Sequence, residues 1–270
     1  MNKIFNLHFT DFCNYDCRFC YAKKEKKILS LRQIQIIVDN IAEYFSKMNI
    51  TDGRINIAGG EPTTCSYLQE IIDYIIGRKI KASIITNGSL LTEGFVRANK
   101  GKLSMVGISV DSIVTETNVA LGRCCGKTTL DYNHLCAICK CIKEHSIPLK
   151  INIVVSKINQ NEDIKKLIDD VKPDRFKILQ MLPTTPFSAK NAISNEEFNA
   201  YIQKYDDYEF VKENSANMQK AYMIIDSLGY ISTENQHSDF RYSALKDRLI
   251  DVIDKIDFNA ENERLRYTIE

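Results

Sequence analysis

Cys13, Cys17 and Cys20 form a C-x3-C-x2-C run directly after an apolar N-terminal stretch. Iron-sulfur clusters are held by cysteine thiolates and normally take four of them. Three thiolates at this spacing can ligate three irons of a [4Fe-4S] cube. No fourth cysteine follows nearby, so one iron would stay open for a substrate or cosubstrate. A zinc site is one alternative, but tetrahedral zinc favours a second C-x2-C knuckle or a His-x3-5-His, and neither stands close to the triplet. Three unligated thiols in a loop are the other alternative.

Something must hold such a loop. Short apolar, β-branched runs at residues 4–9, 54–58, 82–86, 105–110, 150–155 and 175–180 alternate with amphipathic stretches. That is the βα rhythm of a parallel α/β sheet or barrel. Helices are expected at residues 30–47, with Ser30 as N-cap, and near 67–78, from about 90 to 97, from 128 to about 145, and near 164–171. A long loop is expected over 111–127. Six units where a closed barrel has eight imply a partial, open (βα)6 TIM-like barrel. Polar and glycine-rich residues gather at the C-terminal end of each strand, where such barrels build their sites. After Met181 the rhythm stops. Residues 183–270 then read as a C-terminal extension covering the mouth of a barrel formed by residues 1–182, with a helix near 195–204 and an extended segment at 222–225.

The chain of 270 residues carries a net charge of +1 and is 44% hydrophobic, so it can bury a large core and offers no global attraction to nucleic acid or membrane surfaces. No run approaches the roughly 20 apolar residues of a membrane span, and no secretory leader is evident. Nine cysteines without a leader suit a reducing compartment. A soluble, cytoplasmic protein that binds neither nucleic acid nor membrane, and a monomer, is expected.

Two further groups carry chemistry. Gly59-Gly60-Glu61-Pro62 ends the second strand, where glycines admit a ligand close to the backbone and Glu61 can accept an ammonium; an ordinary turn is the plain alternative. Arg54 and Asn56, Lys150 and Asn152, and Arg175 and Lys177 are each two apart, so each pair shares one strand face. Cations on the inside of a barrel are costly without an anionic partner, which points to a polyphosphate unless they face solvent at an open edge.

The triplet, with aromatic Phe19 before its last cysteine, and the Gly59-Gly60-Glu61-Pro62 motif resemble the radical S-adenosylmethionine (SAM) enzymes. The resemblance implies that SAM chelates the open iron. Glu61, Gly59 and Gly60 would then meet its ammonium, Thr86, Asn87 and Ser109 its ribose, and Arg123 its carboxylate. Turn and surface roles remain the alternatives for these residues. Further runs, among them Asn6 to Thr10, Thr86 to Leu90, Ser109 to Ser112, Asn118 to Arg123 and Phe176 to Gln180, are similar to the viperin family from Asn6 to about Tyr230. That likeness implies conversion of CTP, UTP or GTP to its 3'-deoxy-3',4'-didehydro analogue, a chain terminator in antiviral defence. It assigns Asn6, Arg54, Asn56, Lys150, Asn152, Arg175 and Lys177 to the nucleotide. Tyr222 would supply the hydrogen or proton that completes the reaction, and flavodoxin or ferredoxin would be the reductant. Arg54 and Ala58 replace a lysine and a serine of the animal proteins. A free-standing prokaryotic relative is expected, since no amphipathic N-terminal helix or C-terminal tryptophan is seen. Rival readings are a radical SAM enzyme acting on a peptide or cofactor precursor, and a non-catalytic cluster protein. His8 is open between substrate contact and structure. Cys136, Cys139 and Cys141 are expected to pack as small apolar groups, and Cys124 and Cys125 have no assigned role.

Overall fold

Polar and apolar residues alternate along the strands, and this decides which way each strand faces. The computed structural model describes residues 3–22, 26–233 and 241–265. β1 (Ile4–Thr10) turns Phe5, Leu7 and Phe9 outward under the helices, each 0% exposed, and leaves Asn6 and His8 on the inner face. Ile55 and Ile57 of β2 (Arg54–Gly59), Ile151 and Ile153 of β5 (Leu149–Val155), and Phe176 and Ile178 of β6 (Arg175–Gln180) repeat the pattern and join one continuous core. Apolar burial outside and polar groups inside is the reverse of a filled barrel, and it opens the interior to a polar ligand.

Most of the longer helices come where the periodicity puts them. α1 (Leu31–Lys47) starts at Ser30 with a reciprocal capping box to Gln33 and buries Ile34, Ile37, Val38, Ile41, Tyr44 and Phe45. α2 (Leu68–Gly77), β3 (Lys81–Thr86), α3 (Glu93–Ala98) and β4 (Leu103–Ser109) follow. The stretch expected as a loop over 111–127 contains a helix, α4 (Thr115–Leu121), and α5 (Tyr132–Glu144) begins later than expected. α6 (Lys165–Val171) precedes β6.

Six repeated strands are not the whole sheet. After α7 (Pro186–Asn191) and α8 (Asn195–Ile202), the extension adds β7 (Val211–Glu213) beside β6 and β8 (Met223–Ile225) beside β1, both parallel. β9 (Ile231–Ser232) pairs antiparallel with β8, and α9 (Leu249–Val252) and α10 (Ala260–Leu265) end the described chain. The order β7-β6-β5-β4-β3-β2-β1-β8-β9 leaves the sheet unclosed, with all C-terminal strand ends from β1 to β6 on one rim.

Candidate active site

One cavity of about 310 Å³ opens at that rim. It is lined by Cys13, Cys17, Phe19, Cys20, Gly59, Gly60, Glu61, Thr86, Asn87, Ser109 and Arg123, and also by Asn6, Asn56, Lys150, Asn152, Lys177 and Tyr222. Thr184, Met218 and Ile224 of the extension complete its wall. Arg54 and Arg175 do not line it. They open β2 and β6, two residues before Asn56 and Lys177, which puts them about 7 Å deeper along the strands. The expectation that all four cations face the mouth is corrected to Lys150 and Lys177.

The loop carrying the cysteines is held on three sides. Gly60 N–H donates to Thr10 O at 2.6 Å and Glu61 N–H to Phe12 O at 2.8 Å. A Cβ on Gly60 would lie 1.9 Å from Phe12 O, and one on Gly59, whose φ is +124°, would lie 2.2 Å from Thr10 O. These glycines let one backbone press against another while they also line the cavity. On the second side, Asn87 Nδ2 donates to Asn14 Oδ1 at 2.8 Å and stands 3.9 Å from Cys13 Sγ. On the third, Arg18 N–H donates to Leu121 O at 3.0 Å, and Gly122 ends α4 at φ +74°, with a Cβ there meeting Asp16 O at 2.2 Å. α4 is thereby docked on the loop and sets Arg123 beside Cys17, Nη1 to Sγ 3.8 Å.

Glu61 is 1% exposed, and both its oxygens are engaged. Oε1 accepts from Thr63 N–H, Thr63 Oγ1 and Thr86 Oγ1 at 3.1, 2.6 and 2.6 Å, and Oε2 accepts from Asn87 N–H at 2.6 Å. Its first role is to clamp the end of β2 to the end of β3. Arg123 likewise has partners besides any ligand: Nε lies 3.1 Å from Asp111 Oδ2, which is 1% exposed, and Nη2 donates to Ser109 O. Burial alone would lower the Arg123 pKa, but Asp111 and then Cys17 outweigh it and hold it above its ordinary value. Asp111 was given no role in the sequence reading, although it lies in the run Ser109 to Ser112 that carries part of the resemblance.

At the cavity floor, Asn56 Nδ2 donates to Asn6 Oδ1 at 3.0 Å, Ser83 Oγ donates to Asn56 Oδ1, and Asn6 Nδ2 donates to Met223 O at 3.2 Å. The Asn152 side-chain oxygen is buried with no hydrogen-bond partner, which is costly unless a polar ligand meets it. Lys177, 3% exposed, donates to Glu213 Oε1, and Tyr222 Oη donates to Glu213 Oε2. Glu213, 0% exposed, carries no signal in the sequence because β7 is three residues long and shows no period.

Cys13, Cys17 and Cys20 line the cavity together, and their thiols suit the ligand chemistry of an iron-sulfur cluster. A cube keeps its ligands at separate corners, and three thiolates with a neighbouring guanidinium match that chemistry. Burial pushes the Cys17 thiol up to about 12, partly offset by Arg123, so loading the site releases protons. On α5, Cys139 and Cys141 are buried in the core as small apolar groups.

His8 lines the cavity and stacks on Tyr21 at 6.2 Å. Burial lowers its pKa to about 4, with Asp226 opposing. The unfolded chain, titrating near 6.5, then binds more protons than the folded one between about pH 6.5 and 4. Stability should therefore fall as pH drops through that window, by up to about 3 kcal/mol. Urea unfolding at pH 7 and 4.5 should show His8→Gln losing less than wild type; equal losses would place the titration elsewhere.

A family model described as the Radical SAM superfamily matches residues 7–171. An S-adenosylmethionine-dependent nucleotide dehydratase of Flammeovirga pacifica is 33% identical over 261 residues, covering 92% of this chain and 86% of that protein. One of Selenomonas ruminantium is 30% identical over 275 residues, covering 97% of each. The fold is similar to that of Streptococcus suis SuiB bound to S-adenosylmethionine, with a TM-score of 0.71 and 19% identity over 98% of this chain and 68% of that one. Enzymes of this superfamily use a [4Fe-4S] cluster and SAM. With the cysteine loop, the open parallel sheet and these relatives in agreement, the chain belongs to the Radical SAM superfamily and, within it, to the viperin family.

Proposed function

We propose that this protein is a radical SAM nucleotide dehydratase that converts CTP, UTP or GTP to the 3'-deoxy-3',4'-didehydro nucleotide, a chain terminator in antiviral defence. The observation that carries this reading is a single cavity with three thiols at one end and Lys150, Asn152, Lys177 and Tyr222 at the other. Cys13, Cys17 and Cys20 would hold the cluster, with Phe19 packed beside it. Gly59, Gly60, Thr86, Asn87, Ser109 and Arg123 would border SAM, with Glu61 fixing their loops. When bound, cluster and SAM supply a 5'-deoxyadenosyl radical that removes the ribose 4'-hydrogen.

The residues of the chain do the positioning. Lys150 and Lys177 attract the phosphates, with Arg54 and Arg175 deepening the positive field beneath them. Asn6, Asn56 and Asn152 offer hydrogen bonds to the sugar, and Tyr222 completes the reaction at it. Residues 183–270, read as an extension, contribute Tyr222 and so finish the nucleotide site. A low-potential donor such as flavodoxin or ferredoxin would serve as reductant, and a cytoplasmic monomer is the expected state. No helix among the described residues is long and apolar enough to cross a membrane.

The test is anaerobic. The reconstituted protein is given SAM, dithionite and each of CTP, UTP, GTP and ATP in turn, and deoxyadenosine and nucleotide mass are followed. Deoxyadenosine matched by a product lighter by one water with one triphosphate is expected. Slow deoxyadenosine formation, equal with all four and without such a product, would reject the reading in favour of another substrate.

A further inference from the structure

Tyr222 lines the cavity, yet its hydroxyl donates to a buried carboxylate. Glu213 meets the Lys177 ammonium, which has only donors, at Oε1 and the Tyr222 hydroxyl at Oε2. It is 0% exposed, and the Lys177 ammonium that balances its charge is 3% exposed and lies 6.0 Å over the Tyr222 ring centroid. Three elements that are remote in sequence build the arrangement. Lys177 comes from β6, Glu213 from the β7 strand paired to it, and Tyr222 from the residue just before β8 at the other side of the sheet. A phenol that only had to donate a proton into the cavity would gain nothing from such a partner.

We propose that Glu213 is the positioning residue and proton acceptor that lets Tyr222 deliver the last electron of the dehydration. This rests on the nucleotide dehydratase reading. After the ribose has lost its 4'-hydrogen, the 3'-hydroxyl leaves as water with a proton from solvent, and the C3'–C4' unit is one electron short of the alkene. Tyr222 supplies that electron while its O–H bond breaks and the proton passes to Glu213 Oε2. The phenoxyl left on Tyr222 is neutral; the Lys177, Glu213 and Tyr222 group rises by one positive charge as the ribose cation is discharged, so the charge of the whole site is unchanged. The low-potential one-electron donor that serves the cluster then reduces the phenoxyl, and the proton returns from Glu213. The sum is one electron and one proton consumed per alkene and water formed. Lys177 keeps Glu213 ionised until the transfer occurs.

Glu213→Gln separates holding from accepting, because the amide oxygen still accepts the Tyr222 hydrogen bond but takes up a proton poorly. The expected result is nucleotide binding at least as tight as in wild type, because Lys177 is freed from a competing carboxylate, and continued deoxyadenosine formation. Didehydro nucleotide per deoxyadenosine should fall by about tenfold, a loss confined to the step after radical generation. Tyr222→Phe should fall equally, and the double variant should be no worse than the lower single variant, since the two groups act as one. Thermal melts identify a variant that does not fold. In that event Tyr222→Phe and a solvent deuterium effect on product formation, present in wild type and absent in Tyr222→Phe, carry the test. A wild-type product ratio in Glu213→Gln or in Tyr222→Phe, or losses that multiply in the double variant, would overturn the proposal. Wild-type protein that makes no didehydro nucleotide would instead reject the dehydratase reading beneath it.

Discussion

Lys177→Met lowers the free energy of unfolding by about 3–5 kcal/mol, because it removes the ammonium that faces the buried Glu213 carboxylate. The pair is 3% and 0% exposed at its two ends, so the charge is little screened by solvent. Tyr222 remains as a neutral donor and compensates little of the lost charge. Removing both charges with Lys177→Met and Glu213→Leu should return most of the stability, since a buried ion pair replaced by apolar groups of similar volume is neutral or stabilising by about 1–4 kcal/mol. Urea denaturation of the three proteins measures this directly. If Lys177→Met were as stable as wild type, the lysine would owe nothing to Glu213 and would be held in reserve for phosphate alone. The two roles are compatible in one chain: an incoming phosphate competes with Glu213 for Lys177, and nucleotide affinity then reports the difference between two ionic partners rather than a bare attraction.

How much of this was legible depends on whether the partner lies nearby in sequence. Ser30 and Gln33 are three apart, so the capping box and the start of α1 could be read from the chain, and β6 lies at the residues expected for it. The cysteine spacing and Gly59-Gly60-Glu61-Pro62 declared the cofactor class for the same reason. The inner-face alternation of Asn56, Lys150, Asn152 and Lys177 was also correct, because a strand has a period of two whatever it pairs with. How deep each residue sits was not readable, and Arg54 and Arg175 were placed at the mouth for want of it. Glu213 reaches Lys177 and Tyr222 only because β7 and β8 join opposite sides of one sheet, and no local pattern says so. α4 escaped because it is seven residues long, has no side-chain cap and buries only Leu121. Without α4 the partner of Arg123 and its approach to Cys17 stayed hidden as well.

Gly60→Ala should empty the cysteine loop of its cluster without altering a thiol. The added Cβ would stand 1.9 Å from Phe12 O and 2.8 Å from Asp11 C, which are backbone atoms that cannot swing aside. Either the β2 end or the cysteine loop must move. Both hydrogen bonds between them, Gly60 N–H to Thr10 O and Glu61 N–H to Phe12 O, lie in the path of that movement. The rest of the barrel does not depend on this contact, for Phe5, Leu7, Phe9 and Ile57 are buried in the core on the opposite face. A large loss of function with a modest loss of stability is therefore the expected signature. A displacement of about 1 Å at a positioned site can lower the rate by about 100-fold. Iron and sulfide per chain after anaerobic reconstitution, and deoxyadenosine formed per minute, measure the effect. Circular dichroism should remain that of the wild type. A variant that kept full iron and full turnover would show that the cysteine loop finds its geometry from the cluster alone, and that the contact between the two backbones is packing without consequence for the site.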